Sequence, residues 1–169
     1  MRNLLILGLP FLAVACANET SLEVEDYVDL EAYQGVWYEV ARLPNRFEKN
    51  CTGVTATYTI EDDGTVDVFN RCYLGDLDGR LKEANGIARV VDETTNAKLE
   101  VSFFRPFFGD YQILMVDEDA YSLVGEPDRK YLWLLARTSN PDEAVVAMLL
   151  DEAERQGFAV DELEWTKHQ

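Results

Sequence analysis

Apolar and polar residues alternate with a period of two along most of the chain, from Trp37 to Arg137. Such alternation predicts β-strands with one face toward a core and the other toward water. Turn-forming residues divide this stretch into eight predicted strands: Trp37–Leu43, Val54–Ile60, Thr65–Arg71, Glu83–Val91, Lys98–Phe104, Asp110–Val116, Ala120–Gly125 and Tyr131–Arg137.

The connections between these strands are short and carry no helical pattern. The segment after Ile60 ends in Asp63–Gly64, which indicates a hairpin because glycine accepts positive φ. Successive hairpins favour an antiparallel sheet. Eight antiparallel strands can close into a barrel that has no exposed edge and has room for one small ligand. The sequence therefore predicts an all-β, eight-stranded antiparallel up-and-down barrel.

A helical pattern follows the last predicted strand. Asn140–Pro141–Asp142–Glu143 predicts a helix start with Asn140 as the cap, and Gln156–Gly157 predicts its end. The apolar residues on one face of this helix are Val145, Met148 and Leu149. We expect this helix to pack on the outside of the barrel. The residues after this helix, Phe158–Trp165, are expected to be a short extended piece. Before the first strand, Asp29–Gly35 is expected to form one helical turn that is capped by Asp29.

The first fifteen residues have the order of a secretory signal peptide, with Arg2 followed by an apolar stretch and a run of small residues. The apolar stretch is shorter than the roughly twenty residues that a membrane span needs. Cys16 comes next and resembles the acylated cysteine of bacterial lipoproteins, although Ala13 occupies a position that is usually Leu there. The alternative is ordinary cleavage that leaves Cys16 as a free thiol.

By the same resemblance, Ala17 after the cysteine favours sorting to the outer membrane, with the periplasmic face as the expected side. Three acyl chains on Cys16 would anchor the protein firmly. Residues 16–28 are polar and acidic, which predicts a tether between the lipidated N-terminus and a domain at residues 29–169.

The net charge of the chain is -17. An excess this acidic argues against nucleic acid as a partner, because Lys and Arg must neutralise phosphates there, and against electrostatic docking of the chain to an anionic bilayer. The simpler interpretation is that the acidic surface keeps the protein soluble. His168 is the only histidine, so we predict no metal site and no cofactor. Export would place Cys51 and Cys72 in an oxidising compartment, which predicts a disulfide between them.

The order of these elements resembles the lipocalin family, with three family motifs in sequence order. Gly35–Val36–Trp37–Tyr38 follows a single helical turn. Asp117–Tyr121, between the sixth and seventh predicted strands, matches the second motif loosely. Arg137 closes the eighth strand just before the helix. Together, at these spacings, the three are far more specific than a Gly-x-Trp alone.

Finer features are similar to the bacterial and apolipoprotein D-like branch of that family, and the resemblance covers about residues 29–166. The segments that carry it are Trp37–Arg42, Arg46–Glu48, Ala56–Tyr58, Ser102–Phe107 and Tyr131–Arg137. The resemblance implies that Trp37 closes the narrow end of the barrel and that Arg137 lies across its indole. Both residues, and Gly35 before them, are then structural.

The resemblance also implies that Tyr58, Phe103 and Trp133 line the ligand pocket and that Asn70 is a polar pocket position. The alternative for each is plain core packing, since small barrels are filled by their own side chains. Alternation in the first strand places Trp37, Glu39 and Ala41 on the inward side. An inward Glu39 would lie near the closed end, and it is expected to be a paired structural carboxylate, because an unpaired one would be costly to bury.

The resemblance implies that the protein holds or carries a small amphipathic lipid, such as a fatty acid, lysophospholipid or phospholipid. One alternative is an enzyme acting on a hydrophobic substrate, for which the sequence offers no Gly-x-Ser-x-Gly motif and no internal histidine base. Another is a structural envelope protein with a filled barrel. The apolar residues around Pro106 could form the rim of the mouth, where lipid, a partner or a second copy in a homodimer would contact the protein.

Overall fold

The computed structural model describes residues 21–168, and within them the predicted barrel is present. Its strands are β1 (Gly35–Arg42), β2 (Cys51–Ile60), β3 (Val66–Leu74), β4 (Arg80–Val90), β5 (Lys98–Phe104), β6 (Phe107–Asp117), β7 (Tyr121–Gly125), β8 (Leu132–Ala136) and the two-residue β9 (Glu164–Trp165). Neighbouring strands pair antiparallel in the order β2-β3-β4-β5-β6-β7-β8-β1-β9, and β1 also pairs with β2. The sheet therefore closes on itself, and the predicted fold class is confirmed.

Two α-helices accompany the strands in this part of the chain. Helix α1 (Leu30–Tyr33) is the predicted single turn, and the Asp29 side chain caps it by accepting from the backbone N–H groups of Glu31 and Ala32. Helix α2 (Glu143–Arg155) packs on the outside through Leu149 and Ala153. No helix among the described residues is long and apolar enough to cross a membrane.

The predicted cap of α2 is wrong. The helix begins at Glu143, with Asp142 at the N-cap position, and no side chain bonds to the first turn. The carbonyl oxygen of Asp142 accepts from the N–H groups of Val145 and Val146, as an N-cap carbonyl does at the start of a helix. Asn140 lies too early because the chain stays non-helical through Pro141. The segment after the helix is only partly extended, because it forms a 3₁₀ turn at Val160–Glu162 before β9.

A bulge in β1 overturns the expected alternation of that strand. Opposite β8, Glu39 pairs with Leu135, but Ala41 pairs with Leu134, so one extra residue interrupts the register. A bulge reverses the faces of the residues after it. Ala41 accordingly packs outside the barrel with Leu43 and the α2 cluster, and Arg42 takes the inward side. The prediction that Ala41 faces inward with Trp37 is therefore wrong.

A second bulge, between Thr52 and Thr55, brings Cys51 back toward Cys72. Gly53 makes this bend with a φ of +58°, a backbone conformation that favours glycine. The two sulfur atoms are bonded, with 5.5 Å between the Cα atoms. The predicted disulfide is confirmed, and the bulge explains how it forms despite a register that would place Cys72 nearer to residue 54.

The segment Leu22–Val28 lies along the outside of the barrel instead of standing free. Leu22 and Val28 are buried. The N–H of Glu25 donates to the carbonyl oxygen of Ile113, and that of Val28 donates to Thr95. The predicted tether is therefore wrong for these seven residues, because two apolar side chains and the backbone find partners on the barrel. The expected signal peptide, Cys16 and the first residues of the tether lie outside the described residues.

Candidate ligand-binding site

The two ends of the barrel differ in how they are covered. The β2–β3, β4–β5 and β6–β7 turns and helix α1 lie at one end, which we call the closed end. The β1–β2, β3–β4, β5–β6 and β7–β8 turns lie at the other, which we call the open end. All nine strands and both helices lie within residues 21–168, so a chain beginning at Ala17 retains the complete barrel.

Trp37 and Arg137 seal the closed end. Trp37 is fully buried, and its indole N–H donates to the carbonyl oxygen of Tyr33 at 2.9 Å. The guanidinium carbon of Arg137 lies 3.7 Å from the centre of the Trp37 ring. Its N–H groups also donate to the carbonyl oxygens of Ala32, Val36 and Glu118. Stacking and a fork of donors are the two uses to which arginine is best suited, and this is the contact that the resemblance implies.

Tyrosine side chains occupy the interior of the closed half. The Tyr111 hydroxyl lies 2.9 Å from the hydroxyls of both Tyr33 and Tyr58. Tyr33 also lies 3.0 Å from the Ser122 hydroxyl. Burial raises the pKa of Tyr33 to about 12 and raises those of Tyr58 and Tyr111 as well, so these hydroxyls stay neutral. Tyr58, one of the four predicted pocket residues, therefore has a satisfied hydroxyl near the closed end.

The cavity beside these tyrosines is small. It has a volume of about 20 Å³, which is the space of about one water molecule. It is lined by apolar side chains from α1 and from five strands, among them Leu30, Tyr58, Val68, Leu99 and Ile113. A lipid chain cannot fit there without moving side chains.

The other three predicted residues lie farther from the closed end than Tyr58. Asn70 follows the buried Val66 and Val68 on the inward side of β3, and its buried Oδ1 atom has no hydrogen-bond partner among the described residues. The Phe103 ring lies over Gly86, where an added Cβ would come within 2.8 Å of it. Phe103 belongs to the inward set of β5, yet 45% of it is exposed. An inward ring that is nearly half exposed indicates open space inside this end of the barrel.

Trp133 is held on two sides at the open end. Its ring stacks on Tyr131 with 5.9 Å between centres, and Tyr131 in turn contacts Phe47. Its indole N–H donates to the Glu48 carboxylate at 3.1 Å. The structure thus brings Phe103 and Trp133 to the open half and places Asn70 midway along β3. Tyr58 pairs with Val68, one inward position closer to the closed end than Asn70.

A buried charged cluster was missed by the sequence analysis. Arg42 donates to the Glu39 carboxylate at 2.9 Å and to the Glu164 carboxylate at 3.0 Å. The Nε atom of Arg42 lies 3.7 Å from a carboxylate oxygen of Glu48. The Thr166 hydroxyl bonds to the same Glu39 oxygen. The Glu39–Arg42 spacing would have been informative only if the β1 bulge had been expected, because regular alternation puts the two residues on opposite faces.

The expectation that Glu39 is a paired carboxylate agrees with these contacts. Its expected place near the closed end is wrong, because its partners Arg42 and Thr166 lie toward the open end. Burial first, and then the neighbouring Glu48 carboxylate, raise the pKa of Glu39 well above its usual range, and Arg42 only partly opposes them. The second oxygen of Glu39 has no partner among the described residues. The interior of the open half therefore offers apolar rings beside a few polar atoms, a combination typical of sites for amphipathic molecules.

Glu126, in the β7–β8 turn, provides a pH-dependent term in stability. Burial, and then the charges of Asp128 and Asp110, raise its pKa from 4.5 to about 7. At pH values between 4.5 and about 7, Glu126 holds a proton in the folded protein that it has lost in the unfolded chain. Stability therefore falls as the pH rises through this range. We expect Glu126→Gln to be more stable than the parent at about pH 8, and this advantage to vanish near pH 4. Urea unfolding midpoints across this range measure it, and parallel profiles for the two proteins would contradict it.

Comparison with known proteins agrees with the geometry. The family described as Lipocalin-like domain matches residues 28–168. The chain belongs to the lipocalin family. This lipocalin is 40% identical over 161 residues to the outer membrane lipoprotein Blc of Escherichia coli (strain K12), covering 93% of this chain and 90% of that protein. It is 36% identical over 173 aligned positions to the Blc lipoprotein of Vibrio cholerae serotype O1, with full coverage of both.

A more distant relative and a solved structure extend the comparison. Apolipoprotein D of Macaca fascicularis is 34% identical over 137 residues, covering 75% of this lipocalin and 70% of that protein. Insecticyanin from the tobacco hornworm Manduca sexta superposes with a TM-score of 0.73 at 18% identity, covering 89% and 86% of the two chains. The predicted membership of the bacterial and apolipoprotein D-like branch is confirmed, and the outer membrane is the location of the bacterial relatives.

Proposed function

We propose that this lipocalin is a lipid-anchored protein of the outer membrane that holds a small amphipathic lipid in the open half of its barrel. The ligand would be a fatty acid, lysophospholipid or phospholipid, and Cys16 would carry the anchor. Phe103 and Trp133 would contact the acyl chain, and Asn70 would bond to a polar group. Tyr58 would form the floor beneath the end of the chain.

The half-exposed inward ring of Phe103 is the observation that carries this proposal. A barrel filled by its own side chains would bury such a ring, as it buries Tyr58 and Trp37 in the closed half. The unpartnered Oδ1 of Asn70 supports it further, because a buried acceptor without a donor costs about 1–3 kcal/mol. A ligand with an apolar chain and a hydrogen-bond donor would satisfy both features.

The test is calorimetric titration of lysophospholipid, below its micelle concentration, into delipidated protein that begins at Ala17. We expect saturable binding by the parent protein and a loss of about tenfold or more in affinity for Trp133→Ala, because an aromatic contact surface is removed. Trp165→Ala is the matched control, since this exposed tryptophan lies on the outer β9 strand. It should bind like the parent.

Two results would contradict the proposal. If the folded, delipidated parent takes up none of the three lipid classes, the barrel is filled and an envelope-interaction role is favoured. If turnover of a lipid ester is found and is lost in Glu39→Gln, the protein is an enzyme and not a carrier. Glu39 is the variant of choice because it is the buried carboxylate of the open half that keeps one oxygen unpartnered.

A further inference from the structure

The open end carries exposed aromatic side chains. Phe104 and Phe107 flank the β5–β6 turn, are 76% and 70% exposed, and stack with 6.3 Å between ring centres. Phe47 in the β1–β2 turn and Leu81 at the start of β4 are also exposed. Phenylalanine rings at turn tips are costly to leave in water, and a group of them on one face marks an interaction surface.

Charge is distributed unevenly between the two ends. The closed-end turns, residues 61–65, 91–97 and 118–120, contain seven acidic residues and no basic one. The open-end turns, residues 43–50, 75–79, 105–106 and 126–131, contain five of each sign. Arg80, Lys82 and Glu83 follow next to these turns and add one net positive charge. An anionic surface therefore repels the closed end and can approach the open end, in a protein whose net charge is -17.

The N-terminal segment of the described chain begins beside the open end of the barrel. The Gln156 side chain bonds to both backbone groups of Glu23 at 2.9 Å. The carbonyl oxygen of Gln156 accepts from Arg129 in the β7–β8 turn, which belongs to the open end. From there the segment Leu22–Val28 runs down the barrel wall, where Val28 bonds to Thr95 in a closed-end turn.

The distance from the proposed anchor to the barrel is short. Five residues lie between Cys16 and Leu22, and the six fully extended steps that join the two residues span at most about 22 Å. A lipidated Cys16 would therefore hold the open end next to the bilayer and leave the acidic closed end away from it. This orientation of the barrel rests on the anchor in the proposed function, whereas the exposed aromatic side chains and the charge distribution do not depend on the anchor.

We propose that the open end of the barrel is a membrane-docking surface. Phe104 and Phe107 insert among the headgroups of a bilayer that contains anionic phospholipid, and the basic residues Arg46, Lys49, Arg80, Lys82 and Arg105 contact those headgroups. The mouth then faces the bilayer directly, so a lipid enters the barrel without crossing the water between them.

The experiment is co-sedimentation of protein beginning at Ala17, which has no anchor, with vesicles of phosphatidylethanolamine and phosphatidylglycerol. We expect the parent to bind and the double variant Phe104→Ser/Phe107→Ser to bind about tenfold or more weakly, because two exposed rings no longer insert. Val91→Ser is the matched control, since Val91 is 52% exposed but lies in a closed-end turn. Val91→Ser should bind like the parent. Added salt should weaken the binding of the parent and of Val91→Ser.

An equal loss for Val91→Ser, no effect of the double variant, or no vesicle binding by the parent would overturn the docking proposal. Lysophospholipid titration in solution separates this result from the proposed function. The double variant should keep the affinity of the parent there, because both rings are mostly exposed at the rim of the open end. Vesicle binding without lysophospholipid uptake would refute the carrier function and leave the docking proposal intact. Lysophospholipid uptake without vesicle binding would refute docking and leave the carrier function intact.

Discussion

Replacing Arg42 by alanine is expected to destabilise the barrel by about 3–5 kcal/mol, because it leaves buried carboxylates without their cation. Arg42 is nearly inaccessible to water, and it contacts carboxylates from β1, the β1–β2 turn and β9. The alanine variant would keep Glu39 buried beside Glu48 with nothing to oppose their repulsion. Urea unfolding at neutral pH measures the loss.

The pH dependence of this loss follows from the direction of the Glu39 pKa. Without Arg42 the folded-state pKa of Glu39 rises further, since the attraction that now lowers it is gone. An acid whose pKa is raised by folding stabilises the protein at low pH, and this contribution is lost as the pH rises. The defect of Arg42→Ala should therefore be larger near pH 8 than near pH 5.

Arg89→Ala provides the matched control for Arg42→Ala. Arg89 also pairs with a glutamate, Glu100, but on the outer surface with more than half of its side chain exposed. An exposed pair contributes about 0–1 kcal/mol. Adding Glu39→Gln to Arg42→Ala should restore part of the stability, because the double variant no longer buries that charge. Equal losses for the two arginine variants would show that the Arg42 cluster is solvated like a surface pair.

Trp37→Ala is expected to cost about 3–5 kcal/mol through the cavity that it leaves. The ring is fully buried, packs against Tyr33 at 4.9 Å between centres and is covered by the Arg137 guanidinium. Trp165→Ala removes the same side chain from an exposed site, and such substitutions are usually within about 0.5 kcal/mol of neutral. Thermal and urea unfolding of the two variants give the comparison.

A double-mutant cycle with Arg137→Ala adds a sharper readout. Residues in contact show coupling energies of about 0.5–3 kcal/mol, so the loss in the double variant should be smaller than the sum of the single losses. Lysophospholipid affinity, measured where the single variants remain folded, should stay close to that of the parent because both residues lie at the closed end. Additive losses, or a large loss of affinity, would contradict the structural role of this pair.

The regular parts of the barrel could be predicted because each depends on local signals. Alternation identified the eight main strands, Asp29 marked the start of α1, and the Asp63–Gly64 pair marked a hairpin in which Gly64 has a φ of +82°. These features need only the residues beside them. The family motifs then related distant segments, such as Trp37 and Arg137, that local patterns cannot connect.

The features that could not be predicted depend on tertiary contacts. Nothing around Val40 marks the bulge that turns Arg42 inward, which occurs where β1 pairs with both β8 and β9. Glu48 lies in a polar turn, yet it accepts from Trp133, 85 residues away. The acidic composition of residues 22–28 indicated a tether, whereas Leu22 packs against the outer wall with α2 and Val28 packs against the core at the closed end. In each case a distant partner overrides the local pattern.

The pairing of β1 has a consequence for the order in which an emerging chain folds. Gly35–Tyr38 can pair with β2 early, but Ala41 and Arg42 wait for β8, about a hundred residues later, and then for Glu164 and Trp165. Contacts between residues so far apart in sequence slow folding because the loop between them must first be closed. The first strand to be made is therefore the last to be completed, and an emerging chain stays open along this seam until almost all of its residues have been added.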